Sequence, residues 1–131
     1  LKNMEDAYQL QVIITAGPEE PRKAILGLSM AAAAASAGAR VYVYLVMEAA
    51  RCLLKEYCGR ELVPTYPTVS ELVAVVHEAE GTVAYCPNCL ESGCVPASEM
   101  QAEVQVFCHL ARAGGISPVG MRLTSVPTVV F

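Results

Sequence analysis

Three cysteines fall within nine residues of the stretch VAYCPNCLESGCV, positions 83–95: Cys86, Cys89 and Cys94. Such a cluster can bind metal, exchange disulfides or carry sulfur. Structural zinc needs four ligands, usually from two Cys-x-x-Cys pairs. Here only Cys86 and Cys89 form such a pair. Cys94 could be a third ligand and Cys108 or His109 a fourth, but the five-residue step to Cys94 fits no standard zinc spacing. A thioredoxin-like dithiol should open a helix after the first strand, whereas this pair comes after the third predicted strand. Sulfur transfer needs one thiolate that takes sulfane sulfur as a persulfide, with a lowered pKa, partial exposure and local backbone donors. Isolated buried cysteines are often small packing residues. That reading suits Cys52 and Cys58 but not the cluster. His77 reads as a helix-surface or packing residue, His109 lies beside Cys108, and neither belongs to a recognisable triad.

The elements that would hold these residues alternate between strand and helix. QVIITA (11–16) is a β-branched run that ends in GPEEP, a Gly/Pro loop. Pro21 suits the first turn of a helix, with Glu19 and Glu20 at its positive end, and Gly38 suits a left-handed stop. RVYVYLVM (40–47) is apolar on both faces, as a central parallel strand requires. EAARCLLKEY (48–57) reads as a short helix. TVSELVAVVHEAEG (68–81) reads as an amphipathic helix with Ser70 as N-cap, a Leu72, Val73, Val76, Ala79 stripe and Gly81 as stop. TVAY then leads into Cys86. Residues 98–113 fit either a helix capped by Ser98 and Gln101 or a strand at EVQVF (103–107). SPVGMRLTS (117–125) reads as a short helix and PTVVF as the last strand.

This rhythm predicts an α/β fold, a single three-layer domain over 1–131 with a mostly parallel β-sheet flanked by helices and an N-terminal tail over 1–10. Ligands of such sheets gather beyond the carboxyl ends of the strands. Both GPEEP and the Cys86 cluster start there, so they are expected to be neighbours.

Composition narrows the function. The chain has 131 residues, 54% of them hydrophobic and 17% charged, with net charge −4. Without a basic run it has no phosphate-tracking surface, so nucleic acid is not an expected partner. The longest uncharged stretch, 24–39, is alanine-rich and too short for a membrane span. The mean hydropathy of +0.41 predicts a homo-oligomer that covers surplus apolar surface. Residues 1–9 lack the apolar core of a secretory signal. The abundant core makes a disulfide framework unnecessary, so reduced thiols and a cytoplasmic setting are expected.

The order of the pieces resembles the DsrE/DsrF-like family, which includes the sulfur-relay TusD-like proteins. VIITAGPEEPRKAILGLSMAAAAASAGARVYVYL is similar to its opening, SELVAVVHEAEGTVAYCPNCLESGCV to its next block and SPVGMRLTSVPTVVF to its close. The resemblance spans residues 11–131. It implies a trimer or hexamer in intracellular sulfur trafficking, with Cys86 at the position of the sulfur-accepting cysteine, and it favours EVQVF as a strand. Pro87, Cys89 and LESGC depart from the alanine-rich helix that usually comes after that cysteine. The resulting expectation is a sulfurtransferase-like carrier. Cys86 accepts sulfane sulfur as a persulfide, Cys89 resolves or relays it, Cys94 is a third participant, and Gly17 shapes the pocket floor. Donor or acceptor protein thiols are the partners, and no cofactor or bound metal is implied. The alternatives are a thiol-disulfide redox protein using Cys86 and Cys89, or a non-catalytic oligomeric binding protein with a cysteine-bound metal.

Overall fold

A computed structural model describes residues 7–86, 89 and 108–131. Its elements are β1 (Leu10–Ile14), α1 (Pro21–Ser36), β2 (Val41–Leu45), a 3-10 helix (Met47–Leu53), α2 (Lys55–Cys58), α3 (Val69–Glu78), β3 (Thr82–Tyr85), β4 (Arg112–Ala113), α4 (Ile116–Arg122) and β5 (Thr128–Val130). The five strands form one sheet in the order β4-β3-β2-β1-β5, and every pairing is parallel. Leu10 already pairs with Val41 and Tyr8 is buried, so residues 8–10 belong to the fold rather than to a tail.

Side chains alternate across a strand, and the register aligns them into rows. Val12, Val43 and Val83 share a row on the face covered by α1 and α3. Ala24, Ala31, Ala32 and Ala35 are buried on α1, whose short side chains let the helix lie close to the sheet and to α3. The opposite face carries Gln11, Tyr42 and Thr82 in one row and Ile13, Tyr44 and Ala84 in the next. There α4 docks. The fully buried Gln11 donates to the Val119 carbonyl at 3.1 Å, and the Arg122 guanidinium lies 4.1 Å from the Tyr42 ring centre. Three layers result.

The helix ends differ in part from expectation. Gly38 takes φ +104, the anticipated left-handed stop of α1. The N-cap of α3 is Thr68 rather than Ser70, because Thr68 and Glu71 form a reciprocal capping box that Ser70 has no partner to build. The hydrogen bond from the Thr68 backbone holds the Glu71 carboxyl below its usual range. That support is complete above the ordinary carboxylate range and fades as pH falls through the lowered value. At the other end Glu80, not Gly81, adopts positive φ (+65). Glu19 does not act as a first-turn partner of α1 but ion-pairs with Arg51. The 98–107 alternatives, including EVQVF, lie outside the described residues.

The largest correction concerns the thiols. Cys58, read as a packing residue, is joined to Cys108 by a disulfide, so the chain is not fully reduced. Both partners are buried, and the bond spans a sequence separation of 50. Closing a loop of that size removes roughly 4 kcal/mol of unfolded-state entropy in the chain-entropy account. Replacing Cys58 and Cys108 together by alanine is therefore expected to lower the unfolding free energy by about 4 kcal/mol, read by denaturant titration without reductant. A loss below about 1 kcal/mol would mean that the bond contributes little in solution.

Candidate functional site

Strands β1, β2 and β3 end side by side, and the segments that leave their carboxyl ends build the site. After β1 comes the loop from Thr15, with Gly17 pressed against the 3-10 helix. A Cβ on Gly17 would lie 2.5 Å from the Glu48 carbonyl oxygen, so only glycine permits the approach. The Glu19–Arg51 ion pair ties the same loop to the far end of that helix. After β2 the chain turns at Met47, which adopts φ +56. A non-glycine residue there costs on the order of 1–2 kcal/mol. The turn aims the Met47 backbone N–H at Cys89 Sγ, 3.0 Å away. After β3 the Cys86 N–H donates to the Leu45 carbonyl at 3.0 Å, and the Cys89 N–H turns back to the Cys86 carbonyl at 3.2 Å.

The GPEEP loop and the cysteine pair thus share one support, the 3-10 helix. Its Glu48 meets Gly17 and its Met47 meets Cys89. Each sulfur of the pair has a polar neighbour. For Cys89 it is the Met47 amide, which donates to it at 3.0 Å, and for Cys86 it is the Tyr44 phenol, whose one proton goes to the Gly114 carbonyl at 3.0 Å. Donors of this kind favour the thiolate over the thiol. Burial, reinforced by the hydrogen bond to Cys86, pushes the Tyr44 hydroxyl well above its usual range, so it remains protonated. The partial exposure expected for the reactive thiol is not found: Cys86 is 4% and Cys89 3% exposed.

The remaining candidates separate cleanly. Cys94 lies outside the described residues. Cys52 is fully buried and its thiol is pushed up to about 12, mainly by burial and then by Glu19. Cys108 is bonded to Cys58 and so is not available as a fourth zinc ligand. No group of three or more His, Cys, Asp or Glu that could hold a metal occurs among the described residues. His77 is exposed on α3. His109, also exposed, lines a cavity of about 170 Å³ with Ser70, Val73 and Cys108. A larger cavity of about 480 Å³ lies between α1 and the 63–66 loop, lined among the described residues by Arg22, Ile25, Leu26, Val63, Pro64 and Tyr66. Sequence reading missed Tyr44 and Met47. Tyr44 sits in an apolar run that reads only as core, and a left-handed methionine carries no sequence signal.

Two expectations arise for this edge. Met47→Gly keeps the amide and relieves the left-handed backbone, so stability stays within about 1 kcal/mol of the parent. Met47→Pro forces φ near −65° and removes the N–H, and should cost about 3 kcal/mol or more. Denaturation curves of both variants check this, and equal curves would dismiss the Met47–Cys89 contact. In alkylation at pH 8 followed by peptide mapping, Cys52 should stay unmodified until the protein is unfolded, because its thiolate is scarce well below pH 12.

The model of the DsrE/DsrF-like family matches residues 9–122. No curated protein matches the chain in sequence. In structure the chain is similar to the ychN protein from E. coli, with TM-score 0.73 and 12% identity over 95% of this chain and 99% of that one. It is also similar to BT1422, a conserved protein of unknown function from Bacteroides thetaiotaomicron, with TM-score 0.63 and 10% identity over 99% and 100% of the two chains. At such identities these likenesses concern the fold alone.

Proposed function

This chain belongs to the DsrE/DsrF-like family, which is associated with sulfur relay, and from that premise we propose that it carries sulfane sulfur on Cys86. The observation that carries the reading is the Cys86–Cys89 turn at the carboxyl edge of the sheet, in which the Met47 amide donates to Cys89 Sγ and the Tyr44 phenol stands beside Cys86. In loading, the Cys86 thiolate attacks the outer sulfur of a donor persulfide. A new S–S bond forms on Cys86, the donor's S–S bond breaks, and the donor thiolate leaves. In unloading, an acceptor protein thiolate attacks the outer sulfur and the Cys86 thiolate is restored. Cys89 is the resolving thiol. Its attack on the inner sulfur forms a Cys86–Cys89 disulfide and expels hydrosulfide. Cys94 is a third participant in the proposal.

With both sulfurs nearly buried, a donor gains access only through local opening of this edge, so loading should be slow compared with an exposed cysteine. The proposal includes assembly as a homotrimer or homohexamer. The exposed Ile116, Met121, Leu123 and Val130 favour it, since surplus apolar surface of this kind is covered by subunit contacts. No helix among the described residues is long and apolar enough to cross a membrane. A cytoplasmic setting is part of the proposal, with the Cys58–Cys108 disulfide shielded from small thiols by burial.

The test is intact mass under denaturing, non-reducing conditions after incubation of the reduced protein with a sulfane donor such as polysulfide. Gain of one or more sulfur atoms is expected, and its loss in Cys86→Ser. Loss of two hydrogens without added sulfur, mapped to Cys86 and Cys89 and repeated with an oxidant that holds no sulfane sulfur, would point instead to a Cys86–Cys89 redox couple. An unchanged mass would overturn the carrier reading.

A further inference from the structure

Tyr44 stands where the sulfur chemistry needs a proton held but not given away. It belongs to a strand buried along its whole length, and is itself 1% exposed. Its neighbour across the register is Ala84, and Cys86, two residues on, continues the same face because its N–H extends the ladder to Leu45. From the other side Gly114 is brought in by its N–H bond to the Tyr85 carbonyl at 3.0 Å. The phenol therefore meets two acceptors, the Gly114 carbonyl oxygen and Cys86 Sγ. A phenol has one proton. It can satisfy only one of them at a time.

We propose that Tyr44 is the positioning residue of the Cys86 sulfur, a two-position donor that rests on the Gly114 carbonyl while Cys86 is a neutral thiol and turns to Sγ when that sulfur is negative. In the resting arrangement the Cys86 S–H donates to the phenol oxygen and the phenol donates to Gly114. When Cys86 loses its proton to solvent, Sγ becomes the stronger acceptor and the phenolic hydrogen swings to it. No proton leaves the tyrosine. The same hydrogen bond forms when an acceptor thiolate takes the outer sulfur of a Cys86 persulfide. The S–S electron pair then returns to Sγ, and the phenol meets the charge as it develops. Burial of Tyr44 and Cys86 strengthens the interaction, because a hydrogen bond is stronger in a setting of low dielectric.

The groups around the phenol support this assignment. Those bearing on it are Cys86, Tyr42 and Cys89. The cations of this face, Arg122 and Arg112, bear on Tyr42 instead, and Arg122 stacks against Tyr42 and Tyr8. Among the described residues, Tyr44 is thus the hydroxyl that bears on Cys86. Cys89 also bears on Tyr44, but it has a donor of its own in the Met47 amide.

The inference rests on the carrier reading in taking Cys86 as the reacting thiol, but its test does not involve sulfur. The full chain is labelled with 13Cβ-cysteine, and the Cys86 and Cys89 shifts are titrated in the parent and in Tyr44→Phe. Loss of the phenol should raise the Cys86 midpoint by about one pH unit or more, a tenfold smaller thiolate fraction at neutral pH. The Cys89 midpoint should stay in place. An unmoved Cys86 midpoint, or equal shifts of both cysteines, would overturn the proposal, since a merely structural role loosens both alike. As a second arm, 3,5-difluorotyrosine at position 44 keeps the ring and strengthens the donor. It should lower the Cys86 midpoint, and no change there would also overturn the proposal even if Tyr44→Phe did not fold. A normal titration result with failed sulfur loading would remove the carrier reading and leave the Tyr44–Cys86 coupling intact.

Discussion

Everything in this molecule hangs on β2. Its five residues are all buried, and it pairs in parallel along its full length with β1 and over four residues with β3. Two consequences flow from one strand. The valine row on one face anchors the helical layer of α1 and α3, and the tyrosine row on the other meets α4, Gly114 and Cys86. A central parallel strand must be apolar on both faces, and VYVYL meets that demand with two side chains that bring hydroxyls into the interior. Those hydroxyls lie in the buried centre beside Gln11. The chemistry of the site is an outgrowth of how this core is built.

The end of β2 matters as much as its middle. The ladder stops at Val46, whose N–H still reaches the Ile14 carbonyl, and the next residue reverses into the left-handed region. That reversal stores backbone strain in the residue whose N–H donates to Cys89 Sγ. Strain is retained where the surroundings over-determine it, and here Gly17 packs against the following residue while the Arg51 ion pair secures the helix behind it. Among the described residues, the cysteine pair is therefore held by backbone groups and the Tyr44 phenol rather than by charged side chains. This is why no titratable cluster marks it in the sequence apart from the cysteines themselves.

How much could be read in advance depends on which forces are local. The β-branched runs of β1 to β3, the alanine helix with its Gly38 stop and the closing strand all declare themselves within a few residues, and all are present. Choices between adjacent candidates are less legible. Ser70 and Thr68 are equally good caps until Glu71 is seen to reach only one of them, and Glu80 takes the turn expected of Gly81. The Cys58–Cys108 bond joins residues with no local relation, and β4 is a two-residue edge too short for any pattern. Tyr44 is hidden for a different reason. In a run of apolar letters, a hydroxyl facing a cysteine on the next strand looks the same as one facing a hydrocarbon.

The Cys58–Cys108 bond makes residues 58–108 a closed covalent ring, and Cys86 and Cys89 both lie on it. A hydrolytic nick anywhere within that ring would cut the backbone without parting the molecule, because the two halves stay tethered through the sulfurs. The segment that carries the cysteine pair would keep a covalent path to α1 and β2 from either side of the cut. Only cleavage together with reduction would release a fragment. The region bearing the chemistry is thus topologically insured against a single backbone break, a protection the segments before residue 58 and after residue 108 do not share.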